Sequence, residues 1–198
     1  MMTQSYLTGV LNSAVSFAVC EILIANGACV NTQDLWGFTP LMEAASKSRV
    51  EVCSLLLCHG ADPASLNCHS KSAMDLAGSR ELQERLAFEY RGHALLHACR
   101  TGDIIRLKKN PDQLVQQFQH PFTQENALHV ALVHWPPQQM RKCVETLIKK
   151  GVGVNDKTKE GVTPLHIVCD RPEMFDIIDV LIKNGANINV TDNNGDTG

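Results

Sequence analysis

Apolar residues in this chain fall in short clusters separated by polar stretches of about ten residues, and several clusters close on a glycine. Leu55-Leu56-Leu57 precedes Gly60 and Val180-Leu181-Ile182 precedes Gly185. The same ending gives NGACVN at 26–31, HGADPASLN at 59–67, KGVGVN at 150–155 and NGANIN at 184–189. Gly27 and Gly60 are 33 positions apart, Gly151 and Gly185 34. A residue without Cβ suits the left-handed turn that ends a helix, so these glycines are predicted helix ends. A second marker opens the clusters: TPLM at 39–42, SAMD at 72–75, NALH at 126–129 and TPLH at 163–166. Thr, Ser or Asn there accepts from the first free backbone N–H groups, and proline in the first turn sacrifices no hydrogen bond. The stretch from each glycine to the next cap has room for a hairpin-like turn and too little for another helix.

The resulting unit of turn, helix, helix and turn, with its G-x-TPLH start and LLxxGAxxN end, resembles the ankyrin repeat. The resemblance implies an all-α solenoid of about six repeats. The first is incomplete, with helices near 8–15 and 17–26; the second spans about 31–66 and the third about 64–91. A short fourth unit lies around 94–110, the fifth covers about 120–155 with the insertion HWPPQQ, and the sixth covers about 155–189. In ELQERLAFEYRGHALLHACR, Leu82, Leu86 and Tyr90 are spaced along one helical face with no turn chemistry before Gly92, which predicts a long helix joining two partial clusters. The expected domains are residues 1–91, the end of one cluster, and 93–198, the start of the next. The chain stops at TDNNGDTG, inside a further turn, and reads as a fragment.

Charge narrows the partners. A net charge of −3 with 20% charged residues offers no overall electrostatic footprint for nucleic acid or an anionic membrane. Eight cysteines at 20, 29, 53, 58, 68, 99, 143 and 169 form no CxxC and no regular pairing, which fits a reduced intracellular protein, cytoplasmic and compatible also with the nucleus. Leu7 to Ile24 is apolar, but no basic residue precedes it and Glu21 interrupts it, so neither secretion nor membrane insertion is expected.

Within the ankyrin proteins, GACVNTQDLWGFTPLMEAASKSRVEVCSLLLCHGADPASLNCHSKSAMDLA followed by RLAFEYRGHALLHACR resembles the ankyrin clusters of tankyrases, the poly(ADP-ribose) polymerases that recruit partners through such clusters. The resemblance covers the chain from about residue 20 onward. It implies an interaction scaffold, monomeric as a fragment, with the sterile alpha motif and catalytic domains lying beyond residue 198; this stretch itself is expected to be no enzyme and to need no cofactor.

DLWGFTPLMEAA carries the candidate site. Trp36 and Phe38 sit on a turn whose counterparts hold His69 and Lys71, Glu160 and Val162, and Asn194 and Asp196. Two ring faces beside Asp34 and Glu43 could clamp a partner's arginine, the rings by cation–π contact and the carboxylates by charge-assisted hydrogen bonds. These four residues match those by which tankyrase clusters hold the leading arginine of short partner peptides, and Arg49 falls where the family often has a basic residue near later, frequently acidic peptide positions. The implied partners are proteins with short motifs of a leading arginine and a downstream glycine. Toward the N-terminus Ser13 keeps its family place, but Ala14 stands where a tyrosine normally helps enclose that glycine. A spacer with an incomplete groove is therefore the alternative, and the second cluster, with Asn194 and Asp196 for the aromatics, is expected to hold no clamp.

Other chemistry is thin. Cys58-His59 and Cys68-His69 match no common zinc spacing, so no metal is expected. His129 and His166 belong to the repeat motif and should bond neighbouring turns. KNPDQ and HWPPQQ read as loops, with Trp135 exposed or half-buried in the insertion.

Overall fold

The computed structural model describes residues 17–135, 137–169 and 171–197, so the helix expected near 8–15, Ser13 and Ala14 lie outside the described residues. The chain is built of helices joined by hairpin turns and divides into two compact units that meet between Tyr90 and Arg91. In the first, α1 (Phe17–Ala25) is followed by α2 (Pro40–Ser46), α3 (Val50–Cys58) and α4 (Ala73–Leu76). Helix α5 (Arg80–Thr101) is the long helix expected from its spacing, and it carries the boundary between the units. The second unit continues with α6 (Ile104–Lys109), α7 (Asp112–Gln117), α8 (Ala127–His134), α9 (Pro137–Lys149) and α10 (Pro164–Cys169). A 3-10 turn (Pro172–Met174) then leads into α11 (Phe175–Lys183).

The markers of both helix ends do the work their chemistry suggests. Thr39 Oγ1 accepts from Met42 N–H (3.3 Å), Ser72 Oγ from Asp75 N–H (3.3 Å), and Asn126 Oδ1 from the N–H groups of Leu128 (2.9 Å) and His129 (3.1 Å). The fourth marker residue reaches back in turn: Asp75 Oδ2 accepts the Ser72 N–H at 2.8 Å and His166 Nδ1 the Thr163 N–H at 3.2 Å. At the other end Gly27, Gly60, Gly151 and Gly185 all have φ between +83° and +89°. The residue after each glycine donates five positions back, as Ala61 N–H does to the Leu56 carbonyl (3.0 Å), which satisfies one orphan carbonyl of the helix.

Hairpins close at Asp34–Phe38, Asn67–Lys71, His120–Glu125, Thr158–Val162 and Asp192–Asp196, each by a backbone bond of 2.8–3.1 Å. Within each unit one further bond ties successive hairpins: Cys68 N–H to the Trp36 carbonyl (2.9 Å), Lys159 to Thr123 (2.9 Å) and Asn193 to Glu160 (3.0 Å). The motif histidines act as expected. His129 Nε2–H donates to the Val162 carbonyl (3.1 Å) and His166 Nε2–H to the Asp196 carbonyl (3.0 Å). His129 is fully buried, and that burial lowers its pKa, the bond to Val162 opposing it only in part. As pH falls the unfolded chain binds this proton first, so the contribution is complete above about pH 6.5 and is lost below it. Urea denaturation across about pH 7 to 5.5 should show a flatter loss of stability for His129→Gln than for the native chain; equal slopes would exclude His129 as a source.

Three expectations need correcting. Tyr90 does not continue the buried face of Leu82 and Leu86: it is exposed, and Glu89 is buried instead. The Glu89 carboxylate accepts from Ser54 Oγ (2.9 Å) and Arg85 Nε (2.7 Å), and those partners make its burial tolerable. KNPDQ and HWPPQQ are not simply loops, because Pro111 caps α7 and Pro137 begins α9; proline ends a helix from inside but starts one readily. Trp135 is buried, 3% exposed, and its indole N–H donates to the Cys99 carbonyl. Gly92, inside α5, is needed for packing, since a Cβ there would lie 2.1 Å from the Phe118 ring.

Candidate peptide-binding site

The first hairpin is shaped by Asp34. Its Oδ1 accepts the N–H groups of Trp36 (2.9 Å) and Phe38 (2.8 Å), while Gly37 takes φ +77° to turn the chain. The same fork recurs in both units: Asn67 Oδ1 accepts from His69 (2.9 Å) and Lys71 (3.0 Å), and Asp192 Oδ1 from Asn194 (2.8 Å) and Asp196 (3.0 Å). Asp34 is thus first a turn-forming residue, with Oδ2 left for other work. Gly37 is also pressed against the next hairpin, where a Cβ would stand 3.1 Å from the Asn67 Cα. Asp34→Ala should lower stability by about 1–2 kcal/mol, while Asp34→Asn should leave it nearly unchanged because Asn67 already forms this fork with an amide. Thermal unfolding separates the two, and equal losses would mean that charge, rather than the fork, holds the turn.

On this frame Trp36 is 67% exposed, whereas Phe38 is half-buried. The hairpin feeds directly into α2 through the Thr39 cap, which puts Glu43 in the first turn of that helix. At the same distance after their caps the other repeats carry Leu76, Val130 and Ile167. Glu43 is therefore a carboxylate in a position otherwise apolar, with only 13% of its side chain exposed. Lys47, one turn on, meets it at 3.2 Å. The spacing of Glu and Lys four apart could have revealed this pair, but the sequence reading passed over it. Arg49 is set apart. It precedes α3 beyond the far end of α2, and seven helical residues put about 10 Å between that end and the hairpin.

The remaining candidates are packing or surface groups. His59, Cys68 and His69 are exposed. Burial pushes the Cys53 thiol up to about 12, with the neighbouring Glu89 adding to it, and the Cys143 thiol likewise to about 12. Neither is a nucleophile at neutral pH. Among the described residues, no helix is long and apolar enough to cross a membrane.

Known proteins share this architecture. A family model described as ankyrin repeats (3 copies) matches residues 9–67 and 95–192. An ankyrin repeat protein of Fowlpox virus (strain NVSL) is 46% identical over 55 residues, 28% of this chain and 12% of that protein. Ankyrin repeat and SOCS box protein 6 of Mus musculus is 33% identical over 82 residues, 40% of this chain and 18% of that protein. The 2-5A-dependent ribonuclease of Mus musculus is 50% identical over 42 residues, 21% of this chain and 6% of that protein. The matches thus span less than a fifth of the length of each of these relatives. Ankyrin repeats generally mediate protein–protein interaction, and the matched repeats make this chain a binding module rather than a catalytic domain. With its capped helix pairs, stacked hairpins and a family match over both units, the chain belongs to the ankyrin-repeat family as an all-α solenoid.

Proposed function

We propose that the first unit binds short peptides through an arginine side chain received by Trp36, Phe38, Glu43 and the free oxygen of Asp34. The observation that carries this is Glu43: a carboxylate 13% exposed, where the other repeats place Leu76, Val130 and Ile167, following a hairpin whose Trp36 is two-thirds exposed. A guanidinium satisfies both features at once, stacking on a ring while its N–H fork meets the carboxylates. It would displace the Lys47 ammonium from Glu43, exchanging one cation for another without stranding a charge. Arg49, beyond the far end of α2 and so about 10 Å from the hairpin, would meet an acidic residue a few positions downstream in an extended peptide.

On the tankyrase resemblance, the motif has a leading arginine and a downstream glycine, and the two units are portions of two ankyrin clusters. The parent protein is then a poly(ADP-ribosyl)transferase that uses this segment as a cytoplasmic or nuclear scaffold. A titration with a peptide of that pattern, followed by the indole N–H resonance of Trp36, tests the site. Saturable shifts centred on Trp36 and Glu43 are expected; no shift at millimolar peptide would leave the segment as a spacer.

A further inference from the structure

The second unit lacks an aromatic pair on its hairpins but carries a different surface feature. Residues 101–150 hold seven Lys and Arg against four Asp and Glu, in a chain whose net charge is −3. Much of this excess lies along two grooves that flank α6. One, of about 410 Å³, is lined by His97, Arg106 and Lys109; the other, of about 420 Å³, by Lys108, Lys142, Lys149 and Lys150 together with Glu145, whose carboxylate is met by Arg141 at 3.0 Å. Some of these charges are already answered, since Lys150 Nζ lies 2.7 Å from Asp112 and Arg106 3.3 Å from Asp103. Among the described residues, Lys108, Lys109, Lys142 and Lys149 have no carboxylate partner, and all four are exposed. Lys109 and Lys149 end α6 and α9, where a cation suits the helix dipole. That does not account for Lys142, which lies well inside α9. Seven residues and two turns separate it from Lys149, so the two share a face with about 10 Å between them.

We propose that this ridge is a docking surface for an acidic segment, rich in Glu and Asp, of a partner protein. Charge complementarity selects a polyanion, and the local chemistry favours a peptide over nucleic acid or free phosphate. No Trp, Tyr or Phe lines either groove to stack a base. Helices α6 and α9 also bring their C-terminal ends here, so neither offers a compact phosphate the N–H cradle of a helix start. Lysines on flexible stems instead suit spaced carboxylates, and about three residues of extended chain cover the distance from Lys142 to Lys149.

Fluorescence anisotropy of the full chain with a fluorescein-labelled Glu/Asp peptide, at low salt, tests the surface. Saturable binding that weakens steeply with salt is expected, at least tenfold poorer in the triple variant Lys108→Glu, Lys142→Glu, Lys149→Glu. A control that reverses Lys71, Lys157 and Lys183 changes net charge equally and should bind within about twofold of the native chain. Should the triple variant melt early, Lys142→Gln with Lys149→Gln keeps helix formers in place and should still lose several-fold. Trp36→Ala should leave this binding unchanged, which separates it from the arginine site. Absence of saturable binding, equal loss in both triple variants, or tighter capture of a single-stranded oligonucleotide or inorganic phosphate at these lysines would each overturn the proposal.

Discussion

Replacing Trp135 by alanine should destabilise the second unit by about 3–5 kcal/mol, the range for emptying the space of a buried large aromatic side chain. The ring is 3% exposed, and a Cβ on Gly102 would come within 3.9 Å of it. Its indole N–H also answers the Cys99 carbonyl, which lies in the last turn of α5 where no helical N–H follows. Trp135→Phe should therefore retain much of the packing and still cost about 1–3 kcal/mol for the orphaned carbonyl. Urea denaturation resolves the ordering of native, Phe and Ala. The fluorescence has a built-in reference: of two tryptophans, Trp36 is exposed and Trp135 buried, so the blue-shifted component reports the folded second unit. If Trp135→Ala cost under about 0.5 kcal/mol, as a surface substitution does, the buried placement of this ring would be wrong.

The fate of Trp135 also marks where the sequence stops being legible. Caps at Thr39, Ser72 and Asn126 and the glycines at helix ends were readable because their chemistry is local: a side-chain oxygen within three residues, a positive φ at one position. The length of α5 was readable because no turn residue interrupts its apolar spacing before Gly92. Burial of Trp135 was not, since its partner Cys99 is 36 residues away, and no local pattern carries that contact. The place given to Tyr90 shows the opposite case: the buried position beside it is Glu89, whose carboxylate is received by Arg85 within the helix and by Ser54, 35 residues earlier, a contact that no local pattern carries. Prolines were read as breakers when Pro111 and Pro137 stand at helix starts, because the same missing N–H ends a helix from within and costs nothing at its first turn. At the site, residue types pointed to Asp34, Trp36, Phe38 and Glu43 but not to the second task of Asp34: its Oδ1 accepts two N–H groups of its own hairpin, as Asn67 and Asp192 do in theirs, which leaves Oδ2 for a ligand.

Three substitutions around Glu43 should move arginine-peptide affinity in different directions, and together they test the clamp more sharply than one loss would. Glu43→Ala removes a charge-assisted hydrogen bond, worth about 1.5–3 kcal/mol, so the dissociation constant should rise about 10- to 150-fold. Trp36→Ala removes a ring face that is 67% exposed, and cation–π contact at such a site is worth only about 0.5–1 kcal/mol, a rise of about two- to fivefold. Lys47→Ala should act the other way. Its ammonium lies 3.2 Å from Glu43, where the guanidinium is to sit, and removing it leaves the carboxylate free and one repulsive charge fewer. A helical pair four residues apart contributes about 0.3–0.5 kcal/mol, so binding should tighten by about twofold. Calorimetric titration of the native chain and the three variants, with melting temperatures recorded alongside, measures all of this. Lys47→Ala weakening the peptide as much as Glu43→Ala would mean that the pair serves only to hold α2, and that the arginine goes elsewhere.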